Sequence, residues 1–138
     1  MAYWLFKSEP GTWGWDDQVK KNAPEQWDGV RNYQARNFMR EMKVGELGFF
    51  YHSVNEKKIV GIVRVAVACH PDTTTEDARW ECVDVEAVKP LAVPVSLEQI
   101  KHEPKLADMV LVKNSRLSVQ PVTKDQWDYI CQMGQIDA

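Results

Sequence analysis

The chain has 138 residues, 44% hydrophobic and 27% charged, the mix of a globular domain with one core rather than of a disordered segment. Its 17 Lys and Arg against 20 Asp and Glu give a formal net charge of −3, which excludes a uniformly basic chain that coats nucleic acid by phosphate neutralisation alone. No apolar run approaches the ~18 residues of a membrane span, and residues Met1 to Glu9 turn charged too early for a secretory signal. The expectation is one cytoplasmic domain, residues 1–138, with no membrane partner.

Tyr3 to Lys7 is aromatic and β-prone and is stopped by Pro10 and Gly11, so it reads as a first strand. Trp15 to Lys21 reads as a short helix, acidic early at Asp16 and Asp17 and basic late at Lys20 and Lys21, as the helix dipole prefers. Pro24 ends it, and Trp27-Asp28-Gly29-Val30 reads as a turn. Asn32 then caps a helix running to about Met42. Ala35, Phe38, Met39 and Met42 make its apolar stripe, with Tyr33, Arg36, Asn37 and Arg40 on the opposite side.

Leu47 to His52 and Ile59 to Ala68 flank a polar turn and predict a hairpin. Pro71 to Asp77 reads as loop. Trp80 to Val88 predicts a half-exposed strand, with Val83, Val85 and Ala87 on one face and Cys82, Asp84 and Glu86 on the other. Ser96 with Gln99 and Thr123 with Gln126 are capping boxes, each with a hydrophobic staple, Val95 to Ile100 and Val122 to Trp127. Asn114 to Val119 leads from a loop into a short strand closed by Pro121. Strands and helices do not alternate regularly, so the fold class is α+β: a small, mostly antiparallel, curled sheet or barrel with helices packed outside it.

Charge is segregated along the chain. Arg31 to Lys43 carries a net +3, and Asp72 to Glu86 a net −5. Such a basic segment suits a face that meets an anion, although a solvated helix face explains Arg36 and Arg40 equally well.

Recognisable catalytic apparatus is absent from the pattern. His52, His70 and His102 accompany no G-x-S-x-G elbow, and no His, Cys or Asp grouping has metal-ligand spacing. The seven glycines form no phosphate loop. Cys69, Cys82 and Cys131 are odd in number and widely spaced, and read as buried free thiols. No catalytic residue, cofactor or metal is therefore expected.

Polar and aromatic residues instead gather in Lys7-Ser8-Glu9-Pro10, Trp27 to Tyr33, Phe50-Tyr51-His52-Ser53 and Asn114 to Ser118. A nucleobase reader needs these types: rings to stack on a base, amides and hydroxyls for its edge, and Arg for phosphate. Two other readings use the same residues. One is a small enzyme acting on RNA or a nucleotide-like metabolite, with His52 or Glu9 as acid or base. The other is an accessory module docking through the basic helix face.

Tyr3-Trp4-Leu5-Phe6-Lys7-Ser8-Glu9-Pro10 and Trp27-Asp28-Gly29-Val30-Arg31-Asn32-Tyr33-Gln34-Ala35-Arg36-Asn37 resemble the opening and the central signature of the EVE domain family, within the PUA-like superfamily. Lys43 to Glu46, Phe49 to Ser53 and Ser115 to Val119 follow in the same order, so the resemblance spans essentially the whole chain. Phe38 departs from it, where many relatives carry a second Asn. The resemblance implies a PUA-like curled sheet or pseudo-barrel flanked by short helices, with one pocket. It also implies binding of DNA or RNA through a modified base, methylated or hydroxymethylated cytosine foremost. YTH domains, which read methylated adenine, are similar, but Arg31 stands where they have a cage tryptophan.

On this reading Trp27 and Tyr33 stack on the base or wall the pocket, although a core place for Trp27 explains it equally well. Asn32 reaches the base edge, although its capping role alone would account for it. Ser8 and Ser53 supply hydroxyls, Val30 and Tyr51 line the pocket, and Ser115 and Leu117 close the opposite wall. Lys7, Arg31, Arg36 and Arg116 contact phosphate. Trp4, Trp15 and Trp127 belong to the core.

Overall fold

A computed structural model describes residues 1–137. Among them, six strands form one sheet in the order β2-β5-β4-β3-β1-β6. The strands are β1 (Tyr3–Ser8), β2 (Glu25–Gln26), β3 (Leu47–His52), β4 (Lys58–Pro71), β5 (Glu81–Ser96) and β6 (Val119–Val122). The helices are α1 (Trp15–Lys21), α2 (Tyr33–Glu41), α3 (Leu97–Lys101), α4 (Val110–Lys113) and α5 (Lys124–Met133), with a 3-10 turn at Pro104–Leu106. The fold is α+β as expected, but the sheet is open. Its edges, β2 and β6, have two and four residues and do not meet, so no barrel closes.

All pairings are antiparallel except β1 with β3, which run parallel from Tyr3 opposite Leu47 to Ser8 opposite His52. A parallel pair needs a long crossover. Residues 9–46 provide it, carrying α1, β2, the turn at 27–31 and α2 over one face of the sheet. Alternation along the strands then builds two cores. Trp4, Phe6, Phe50 and Val63 pack with Trp15 of α1 and Ala35 and Met39 of α2. Leu5, Phe49, Tyr51 and Ile62 pack on the other side with Ile100, Leu111, Trp127 and Ile130 of the later helices. Trp4, Trp15 and Trp127 all lie in these cores.

The capping residues do what their sequence positions predict. Asn32 Oδ1 accepts from Ala35 N–H at 2.9 Å, and both capping boxes close. Glu46 ties the start of β1 to the turn before β3, accepting from Trp4 Nε1 at 3.0 Å and from the N–H groups of Ala2 and Lys43. Burial works to raise its pKa, and these hydrogen bonds outweigh it and lower it. The indole of Trp15 lies against Gly61 of β4, where an added Cβ would come within 2.5 Å of the ring.

Several elements differ from expectation. β5 continues through Pro90 and Pro94 to Ser96. Proline removes a ladder donor and is tolerated where a strand has a free side, and β2 covers β5 only at Asp84 and Val85, leaving its later half as an edge. Cys82 and Cys131 are buried as expected, whereas Cys69 is only half-buried. The thiols are free, and burial pushes Cys82 up to about 12 and Cys131 up to about 11. No helix among the described residues is long and apolar enough to cross a membrane, and no group of three or more His, Cys, Asp or Glu gathers as a metal site.

Candidate nucleic-acid interface

A cleft of about 520 Å³ opens where β1 ends, between the residues that leave it and the turn after β2. Its volume falls within the ~300–1,000 Å³ range of small-ligand sites. A larger hollow beside α5 is lined by Asp125, Asp128 and Asp137 with Lys105, a charge balance unsuited to a polyanion.

Trp27 forms the inner wall. It is 7% exposed and packs edge-on against Phe6 and Phe50, at centroid distances of 5.2 and 5.6 Å, while its N–H donates to Val83 O at 2.8 Å. The core place and the wall are thus one position. Trp13 supplies a second ring, held by a chain of hydrogen bonds: its Nε1 donates to Gln18 Oε1 at 3.0 Å, and Gln18 Nε2 donates to Val85 O at 3.2 Å. Ser8 Oγ donates to the Trp13 carbonyl and fixes this turn to β1.

The opposite rim is the turn at 28–31. Gly29 adopts a φ of +74°, which favours glycine, and its N–H donates to Asp72 Oδ2 at 2.9 Å. Arg31 Nη1 reaches the same oxygen at 3.1 Å, while Thr74 donates its N–H and its hydroxyl to Oδ1. Asp72 is only 3% exposed. Burial alone would raise its pKa, but the donors from Thr74, Gly29 and Arg31 outweigh it and bring it down to about 2. Arg31 also lies over the Trp80 ring, 5.4 Å from its centroid. On the near rim, Lys7 Nζ donates to Ser115 O at 2.9 Å, and burial lowers its pKa.

Of the residues singled out from sequence, Lys7, Ser8, Trp27, Val30 and Arg31 line this one cleft, as does Glu9. The side chains of the others do not line it. The Asn32 side chain caps α2 and is exposed. Tyr33 is 50% exposed, stacked on Trp80 at 4.9 Å beneath the Arg36 guanidinium, and its hydroxyl accepts from Arg79 at 3.2 Å. Tyr51 is buried in the second core, which pushes its phenol up to about 12. Leu117 is buried in the first core. Ser53 meets Ser8 through its backbone, donating its N–H to Ser8 O at 2.9 Å. Ser115 gives the cleft rim its carbonyl, and Arg116 is exposed on the same loop. Arg36 donates to Arg79 O and Asn37 Oδ1.

Sequence reasoning missed Trp13, Gln26 and the anchoring Asp72, while Asp28 and Ser118 lay within the segments it named but were given no role of their own. Trp13 carried a usable signal, since the Pro10-Gly11 turn folds it back beside Ser8. Asp72 carried none, because an aspartate after proline reads as an ordinary turn residue.

His52 is engaged structurally. Its Nε2 accepts from the Trp15 N–H at 3.0 Å, and Nδ1 faces Glu56 at 3.1 Å. The two charge segments also meet in space: Arg31 pairs with Asp72, and Arg40 Nε with Glu81 at 2.6 Å. The basic helix face is therefore partly neutralised by the acidic segment packed beside it.

The EVE domain profile matches residues 2–133. Thymocyte nuclear protein 1 of Mus musculus is 36% identical over 168 residues, covering 98% of this chain and 74% of the relative. A crystal structure of an Agrobacterium tumefaciens protein superposes with a TM-score of 0.97 at 51% identity, covering 99% of this chain and 94% of that one. Human THYN1 protein, solved in complex with 5-methylcytosine containing DNA, superposes with a TM-score of 0.89 at 34% identity over the whole of both chains. A YTH domain of Zygosaccharomyces rouxii, solved with N6-methyladenosine RNA, matches at 18% identity with a TM-score of 0.57, covering 99% of this chain and 89% of that one, a likeness of fold alone. With the family profile spanning residues 2–133 and a relative 36% identical over 98% of this sequence, the chain belongs to the EVE domain family.

Proposed function

We propose that this chain is a non-enzymatic nucleic-acid-binding module that draws one base, a modified cytosine foremost, out of its stack and into the cleft at the end of β1. The observation that carries this reading is the convergence of Trp13, Trp27, Ser8, Lys7 and Arg31 on a single hollow of about 520 Å³. The human relative solved with 5-methylcytosine containing DNA supports the choice of base. Extrusion costs a few kcal/mol, and stacking on a ring returns about 1–3 kcal/mol. The cationic rim residues Lys7 and Arg31, with Arg116 and Arg36 nearby, hold the flanking phosphates. Burying one methyl group contributes about 0.8 kcal/mol, a preference of roughly fourfold over plain cytosine. The cytoplasmic location stays part of the proposal; because the mouse relative is named for the nucleus, imaging a fluorescent fusion is the check. The enzymatic alternative with His52 as acid or base is disfavoured, because its Nε2 is occupied by the Trp15 N–H; Glu9, its other candidate, lines the cleft.

Fluorescence anisotropy with labelled duplexes carrying a central cytosine, 5-methylcytosine, 5-hydroxymethylcytosine or N6-methyladenine tests the reading. A modified cytosine is expected to bind best, and Val30→Glu, which obstructs the cleft, to weaken it at least tenfold while the thermal melt stays cooperative. Lys7→Ala provides a gentler second variant. Equal affinity for all four duplexes, unchanged in both variants, would overturn the proposal.

A further inference from the structure

5-Methylcytosine and thymine share the 5-methyl group and differ at positions 3 and 4: cytosine offers a bare N3 acceptor and a 4-amino donor, thymine an N3–H donor and an O4 acceptor. Ring stacking and methyl burial treat the two alike, so a cleft that separates them reads this edge, through an acceptor facing position 4 or a donor facing position 3.

Most polar side chains around the cleft are engaged by the protein itself. Ser8 donates to Trp13 O, Lys7 to Ser115 O and Arg31 to Asp72. Gln26 exchanges hydrogen bonds with Thr73 at 2.8 and 3.1 Å, and Glu25 pairs with Lys21 at 2.6 Å. Two carboxylates are different. Glu9 lines the cleft with no side-chain hydrogen bond among the described residues, and Asp28 lines it beside Trp27, where the contact it receives, from Gln26 Nε2, is stretched to 3.5 Å. The Asp28 backbone is held on both sides, by Trp27 N–H on Val83 O and by Gly29 N–H on Asp72. Burial, with the neighbouring Asp72 and Glu25 carboxylates, raises its pKa. The Asp28 carboxylate, exposed on the cleft lining, therefore has lone pairs that only one stretched protein contact occupies.

We propose that Asp28 is a specificity-determining residue whose carboxylate accepts a hydrogen bond from the 4-amino group of the extruded cytosine and repels O4 of thymine. This assignment rests on the base-reading function above and deepens it. The amine is the donor group cytosine presents on its edge, so it is what an acceptor in this position is able to use.

The test compares two duplexes with the same complementary strand, one with a central 5-methylcytosine·G pair and one with a T·G mismatch. The mismatched thymine is easier to extrude, which biases the comparison against the expected result. The wild-type chain is expected to bind 5-methylcytosine at least tenfold more tightly than thymine. Asp28→Asn, whose amide turns to present either a donor or an acceptor, and Asp28→Ala are each expected to lower 5-methylcytosine binding and to bring the ratio close to one. Asp28 is exposed, so both variants are expected to keep the wild-type melting temperature. A tenfold ratio that survives in both variants overturns the assignment. So does a ratio that disappears in Glu9→Gln instead, which would make Glu9 the acceptor. Wild-type protein that binds 5-methylcytosine better than cytosine yet thymine equally well overturns this inference alone. Protein indifferent to cytosine modification overturns the base-reading function itself.

Discussion

Asp72 receives four hydrogen bonds on two oxygens, and the turn that forms one rim of the cleft depends on it. Its pKa falls from an ordinary value near 3.8 to about 2. A carboxylate depressed on folding contributes stability that is fully present above its unfolded pKa and lost as pH falls through its folded one. The window is therefore pH 4 down to pH 2, and the size about 2 kcal/mol for a side chain this well buried. His70 works with the opposite sign. Burial works to lower its pKa, but Asp84 at 2.7 Å and the Pro71 carbonyl at 2.8 Å outweigh that and raise it. Its contribution is present below the ordinary histidine value near 6.5 and is lost as pH rises through the raised one. Urea denaturation across pH 2–8 is expected to show both slopes, and Asp72→Asn to flatten the acid one. An acid limb unchanged in that variant would mean that other carboxylates carry it.

Elements were legible from sequence where a local rule fixes them. The cap at Asn32 and the boxes at Ser96 and Thr123 stand as read, and so does the stripe of Ala35, Phe38, Met39 and Met42, of which Phe38 is only half-buried. The rest is settled by long-range partners. β2 has two residues and exists because Asp84 and Val85 are there to pair with it. Tyr51 and Leu117 carry site-like chemistry in the sequence, but the strand alternation of β3 and the approach to β6 deliver them to the two cores. Trp27 and Val30 to Arg31 reach the cleft because the crossover to β3 must pass over the end of β1. Gly61 is another such long-range fit, making room for the Trp15 indole. Gly61→Ala puts a methyl group against that ring with backbone on either side, and is expected to cost about 1–3 kcal/mol. Calorimetric unfolding measures the loss, and near-UV circular dichroism reports the displaced indole; a variant as stable as wild type would show that α1 shifts freely over β4.

At the scale of the whole molecule, the +3 and −5 segments read from the sequence as separate faces lie against each other, joined through Arg31 with Asp72 and Arg40 with Glu81. That pairing shapes the approach of a polyanion. Lys7, Arg31, Arg36 and Arg116 are four candidate phosphate contacts, and Arg31 already has a buried carboxylate partner. Few condensed counterions are therefore released when a duplex docks. With at most four phosphates neutralised, log K against log salt is expected to fall with a slope no steeper than about −3.6, read from anisotropy titrations at several ionic strengths. A steeper slope would place the grip on the backbone. The shallow one describes a protein whose grip is shared between base and backbone: a fourfold rise in electrolyte weakens it by about a hundredfold, less than for a chain that neutralises eight or more phosphates.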